Sequence, residues 1–67
     1  MTEQERDILR PLAWMCFQYL GGEELDNQSM SAGEHALATL EKHGLVQTSG
    51  GGRLGVWTET GRALLDS

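Results

Sequence analysis

Ser31-Ala32-Gly33-Glu34-His35-Ala36-Leu37-Ala38-Thr39-Leu40-Glu41-Lys42-His43-Gly44-Leu45-Val46 is the stretch on which the fold turns. Ala36, Leu37 and Leu40 recur at helical spacing and form an inward stripe, with Gly33 beside them for close approach. Ser31 and Glu34 match a capping box, in which the serine hydroxyl caps the first turn and the glutamate reaches back. Gly44 takes the position after the C-cap, and Leu45 can fold back onto Leu40 as a Schellman ending prefers. The punctuation predicts a helix over 32–43 that hands the chain to a β-prone segment at Leu45.

Downstream, Leu45-Val46-Gln47-Thr48-Ser49 and Arg53-Leu54-Gly55-Val56-Trp57-Thr58 flank Gly50-Gly51-Gly52, a hairpin with a glycine tip. The triglycine is no phosphate loop, because neither a lysine nor a capped helix follows it. Thr58 can cap a last helix over 59–66 that buries Ala63, Leu64 or Leu65. Upstream, residues 5–20 carry a broad apolar face of Ile8, Leu9, Leu12, Ala13, Met15, Cys16, Phe17, Tyr19 and Leu20. Asp7, Arg10, Pro11, Trp14 and Gln18 fall on the opposite side. Pro11 implies either a kink or a helix that begins properly at Leu12, and Gly21-Gly22 ends it. Between Glu23 and Ser29 only Leu25 offers an anchor, and one short helical turn fits there at most. The expected fold is mainly α with a small β-hairpin: helix, short helical turn, helix, two-stranded hairpin, helix, in one domain over 1–67.

Composition narrows the function classes. Apolar residues make up 39% of the chain, and a 67-residue domain buries only about 60% of its unfolded surface, so the core is thin. The longest apolar run, Leu12 to Phe17, is too short to span a membrane. The acidic start, with no apolar signal region, and a single cysteine predict a reduced, cytoplasmic chain. One cysteine also rules out an internal disulfide and any zinc site needing two cysteines from one chain. His35 and His43 sit roughly 12 Å apart along one helix and cannot share a metal. No nucleophile–base pair, metal set or cofactor fingerprint occurs, so neither catalysis nor a cofactor is expected.

Two motifs in the C-terminal half resemble winged helix-turn-helix transcription regulators, particularly the MarR-like and PadR-like groups. His35 to Val46 looks like the end of their recognition helix, and Trp57-Thr58-Glu59-Thr60-Gly61-Arg62-Ala63-Leu64-Leu65-Asp66 looks like the segment after their wing. The resemblance covers residues 31–66 and implies DNA binding, with the helix in the major groove and the hairpin as a wing on the backbone or minor groove. By position it implies Ser31, Glu34, His35, Ala38, Thr39 and Lys42 as groove-facing residues and Arg53 as the wing contact. It also matches Trp57 to a core position.

Charge is divided unevenly along the chain. The net charge is −5; residues 1–30 hold six acids against two bases, and residues 31–67 hold four against three. Lys42 and Arg53 lie in a window, 42–58, that contains no acid. Affinity for nucleic acid comes mostly from neutralised phosphates, so two or three cations predict weak, salt-sensitive binding to double-stranded DNA and a dimeric DNA-reading form. Trp14, on the polar side of the first helix with Arg10 and Gln18, reads as a partner or homodimer anchor, or as a side chain covered by the N-terminal turn or last helix. Cys16 reads as a buried, inert thiol. The leading expectation is therefore a DNA-binding regulator of transcription. The alternative is an acidic protein-interaction module of the same fold that does not bind DNA and uses the first-helix face.

Overall fold

The computed structural model describes residues 1–67, which form three helices and a three-stranded antiparallel sheet. Helix α1 spans Glu3–Tyr19, strand β1 Glu24–Asp26, helix α2 Ser31–Lys42, strand β2 Val46–Ser49, strand β3 Leu54–Trp57 and helix α3 Glu59–Asp66. The strand order is β1-β3-β2, with Glu24 opposite Val56 on one side of β3 and Val46 opposite Trp57 on the other.

Helix α1 starts earlier than its apolar pattern suggests. Thr2 accepts from the Glu5 N–H at 3.0 Å while Glu5 accepts from the Thr2 N–H at 2.8 Å, a reciprocal cap that fixes the first turn. One helix then runs through Pro11, which is exposed, so the carbonyl left without a donor one turn back can be hydrated. Its buried face is narrower than expected. Leu9, Ala13, Cys16 and Leu20 are inside, whereas Ile8, Met15 and Tyr19 stand in solvent.

The segment after Gly21-Gly22 corrects the sequence expectation of a helical turn: Glu24–Asp26 is a strand, added to the free edge of β3. Its Leu25 is enclosed as anticipated. The chain then reverses through Gln28 and Ser29, both with positive φ, held by Asn27. The Asn27 amide oxygen accepts from the Ser29 N–H at 2.8 Å, and its nitrogen donates to the Gly52 carbonyl at 3.2 Å. This turn delivers the chain to α2 one residue early. Met30 is the N-cap with no side-chain bond, so the capping box of Ser31 and Glu34 does not form.

The end of α2 follows the sequence reading closely. Gly44 N–H donates to the Glu41 carbonyl and Leu45 N–H to the Leu40 carbonyl, both at 2.9 Å, the paired bonds of a Schellman ending. Leu25, Leu37, Leu40, Leu45 and Val46 are the largest of the fully enclosed side chains of a single core. Truncating a leucine such as Leu37 to alanine would cost about 2–5 kcal/mol. Trp57 closes the core beside Phe17, with ring centroids 6.4 Å apart, and its indole N–H donates to the Gly22 carbonyl at 2.8 Å.

Helix α3 is fastened to the end of α2 by Thr58. Its hydroxyl accepts from the Gly61 N–H at 3.0 Å and donates to the Gly44 carbonyl at 2.6 Å, while its own N–H donates to the Leu45 carbonyl. A Cβ on Gly61 would lie 2.0 Å from that Leu45 oxygen. The threonine and glycine of this motif therefore have a packing role. Leu64 and Leu65 are buried with Gly61, and Ala63 is exposed.

Candidate functional site

Ser31, Glu34, His35, Ala38, Thr39 and Lys42 are all exposed on the outward side of α2, because Gly33, Leu37 and Leu40 take the inward one. The Thr39 hydroxyl is partly engaged, donating to the His35 carbonyl at 2.9 Å. Lys42 has no carboxylate partner. Next to it, His43 donates to the Thr39 carbonyl through Nδ1, 3.1 Å away, and its Nε2 lies 3.6 Å from Glu5 at the start of α1.

The β2–β3 hairpin flanks this face and forms two concavities with it. Between α2 and the glycine tip lies an open cleft of about 400 Å³, walled by Glu34, Ala38 and Glu41 on one side and Thr48, Ser49 and Gly51 on the other. Over the outer face of the sheet lies a wider hollow of about 700 Å³ that shares Glu41 and Thr48. Strand alternation decides its lining: Gly55 and Trp57 point into the core, so Leu54 and Val56 face outward and are about half exposed. Glu24 and Val56 are opposite one another, as are Asp26 and Leu54. The result is an apolar pair on the central strand bordered by Glu24, Asp26 and Glu41.

Hydrogen bonds hold two of these carboxylates, Glu41 and Asp26, in their charged form. Glu41 accepts from the Thr48 hydroxyl at 2.5 Å and the Thr48 N–H at 3.2 Å, which holds its carboxyl below the usual range. Asp26 accepts from the Arg53 guanidinium at 2.6 Å and from the Gln28 N–H at 2.8 Å, and its carboxyl is likewise lowered. Arg53, the expected wing contact, is thus not a free cation: Asp26, 27 residues earlier in the chain, occupies it. The acid-free window 42–58 acquires four carboxylates, Glu24, Asp26, Glu34 and Glu41, through the fold.

Trp14, Arg10 and Gln18 are exposed on α1, on a different part of the surface. Trp14 is 40% exposed, edge-on to Phe17 with centroids 5.5 Å apart, and it borders α3 through a small recess shared with Arg62 and Leu65. In that recess Arg62 donates to Glu23, which lowers the Glu23 carboxyl and raises the Arg62 guanidinium. Cys16 is buried, and its burial pushes the thiol up.

Two apolar surfaces were not singled out by sequence reasoning: Leu54 with Val56, and Ile8 with Met15 and Tyr19. For the first, the alternation of Leu54-Gly55-Val56-Trp57 is the available signal, since an inward Trp57 forces Val56 out. For the second, nine apolar residues on one helix already exceed what a single core contact can cover. No family model, curated protein or solved structure matches the chain. No helix is long and apolar enough to cross a membrane.

Proposed function

We propose that this chain is an acidic winged-helix interaction module whose principal docking site is the outer face of the sheet, and that its partner is a protein segment carrying both basic and apolar side chains. The fold reading rests on the element order, the β1-β3-β2 sheet and the hairpin beside α2, which would be the recognition helix with β2–β3 as its wing. The functional reading rests above all on one observation. Leu54 and Val56 stand side by side in solvent on the central strand, with Glu24, Asp26 and Glu41 around them and Arg53 held by Asp26. Apolar contact would supply affinity there, and the carboxylates would select basic residues and speed their encounter.

Reading double-stranded DNA is the second function, and one feature favours it: the outward face of α2, including His35, Thr39 and Lys42, is free of packing and lies beside a projecting tip. Its weakness is electrostatic. A duplex seated on α2 and the hairpin would meet Glu34 and Glu41 in the cleft and find Lys42 as its unpaired cation.

An amide-resolved NMR titration separates the two. A model peptide of alternating arginine and leucine should shift the amides of Gln47, Leu54 and Val56, and Val56→Asp should remove the effect. A random-sequence duplex should shift nothing across about 50–200 mM salt. Duplex binding that perturbs His35 and Thr39, weakens steeply with salt and is lost in Lys42→Ala would replace the first reading with the second.

A further inference from the structure

Helix α1 carries two apolar stripes, and the fold uses one. Leu9, Ala13, Cys16 and Leu20 face the core; Ile8, Leu12, Met15 and Tyr19 form a parallel stripe a quarter-turn away. In this second stripe Leu12 is partly covered, while Ile8 and Tyr19 are each 70% and Met15 56% exposed. The spacing of four, three and four residues is the a/d seam of a helix pair.

We infer that this stripe is the interface between two copies of the chain, joined as an antiparallel α1–α1 pair about a twofold axis near Ala13 and Trp14. The spacing reads the same from either end, so antiparallel alignment sets Ile8 against Tyr19 of the second copy and Leu12 against Met15. The same alignment brings Ile8 of the second copy over an apolar groove between the C-terminal half of α1 and the start of α2. Met15, Tyr19, Met30, Ala32 and Ala36 line that groove, and no charged residue does. Its volume is about 130 Å³, close to the ~150 Å³ at which an apolar cavity accepts benzene, so a branched aliphatic side chain fits.

Charge identifies a second copy as an acceptable occupant. Two chains of net charge −5 repel one another. On the side away from the core, however, the stripe is flanked by Gln4, Pro11 and Gln18, all uncharged, which align with one another in the antiparallel pair. The remaining repulsion is long-range and is screened by salt. Ile8, Met15, Tyr19 and Met30 leave roughly 500 Å² uncovered on each copy, and burying both sets removes about 1,000 Å², the threshold for a specific interface. The interface is a different surface from the sheet face of the proposed docking site and does not depend on that reading.

Sedimentation equilibrium of the full chain across a concentration and salt series tests this. A monomer–dimer equilibrium that tightens as salt rises is expected, the opposite of the salt dependence of phosphate binding. Ile8→Glu and Met15→Glu, both at exposed positions and checked for native circular dichroism, should each weaken it by about tenfold or more, whereas Val56→Asp should leave it unchanged. With Cys16→Ala as background, Ile8→Cys combined with Tyr19→Cys should oxidise to a cross-linked dimer, and Ile8→Cys alone should not. A monomer at every concentration, a dimer that survives both glutamate variants, or cross-linking by Ile8→Cys alone would each overturn the proposal.

Discussion

Replacing Gly61 by alanine sets helix propensity directly against packing. In an isolated helix alanine is favoured over glycine by about 1 kcal/mol, so propensity alone predicts a stabilised α3. The structure predicts the reverse. A Cβ at this position would lie 2.0 Å from the Leu45 carbonyl oxygen, 2.9 Å from its carbon and 3.1 Å from the Trp57 ring. Backbone must therefore retreat by about 1.4 Å to reach an ordinary contact, and neither side is free to move. The Leu45 oxygen accepts the Thr58 N–H at 3.0 Å, and Trp57 is tied to Gly22. Overpacking costs about 1–3 kcal/mol or more, and weakening the Thr58 bond adds about 1 kcal/mol. After the propensity gain, a net loss of about 1–3 kcal/mol remains. A domain of this length has a total stability of about 3–10 kcal/mol, and each kcal/mol moves Tm by about 4–8 °C. Thermal unfolding followed by circular dichroism should therefore show Gly61→Ala melting roughly 4–24 °C below the parent. Ala63→Gly, exposed on the same helix, should lose only about 1 kcal/mol. A Gly61→Ala protein that melts at or above the parent would refute the close approach of α3 to the end of α2.

Four further outcomes follow from particular contacts. Ser29→Gly should stabilise the domain by about 1 kcal/mol in urea unfolding, because Ser29 holds φ at 59°, where a side chain is disfavoured; an unchanged or lower midpoint would contradict that turn. Asn27→Ala should cost about 1–3 kcal/mol and speed amide exchange at both Ser29 and Arg53, since one buried side chain joins the turn to the hairpin tip; exchange altered at Ser29 alone would disprove that link. Asp26 and Glu41 titrate below their ordinary 3.8 and 4.5, so the stabilisation they bring is complete above those values and is lost as pH falls through the lowered folded ones. Asp26→Asn and Glu41→Gln should each flatten the acid limb of stability against pH, and an unchanged limb would remove the two contacts from consideration. The Cys16 thiol, raised above 9.0 by burial, should react with a disulfide reagent near pH 8 only as fast as the chain opens, with rates rising in denaturant; rapid reaction of the native protein would place the thiol at the surface.

Elements whose cause is local were legible in the sequence. The helix α2 with its ending at Gly44 and Leu45, the hairpin around Gly50-Gly51-Gly52 and the Thr58 cap of α3 each depend on residues a few positions apart. Propensity, glycine conformation and capping act over that range, and they leave a readable pattern. The inward stripe of α2 with Leu37 and Leu40, which leaves the opposite side of the helix in solvent, was legible for the same reason.

What the tertiary structure alone decided depends on partners far away in the chain. Glu24–Asp26 is a strand because β3 offers it a hydrogen-bonding edge some 30 residues later, and nothing within the polar segment itself carries a β signal. Arg53 lies in a window without acids, yet Asp26 crosses 27 residues to hold it. Likewise, only the fold divides the broad apolar face of α1 into an enclosed stripe and an open one, because α2 and α3 pack against one side of it. Sequence order sets which charges and apolar groups exist; the pairing of distant backbone edges sets which remain available, and that availability is what any partner meets.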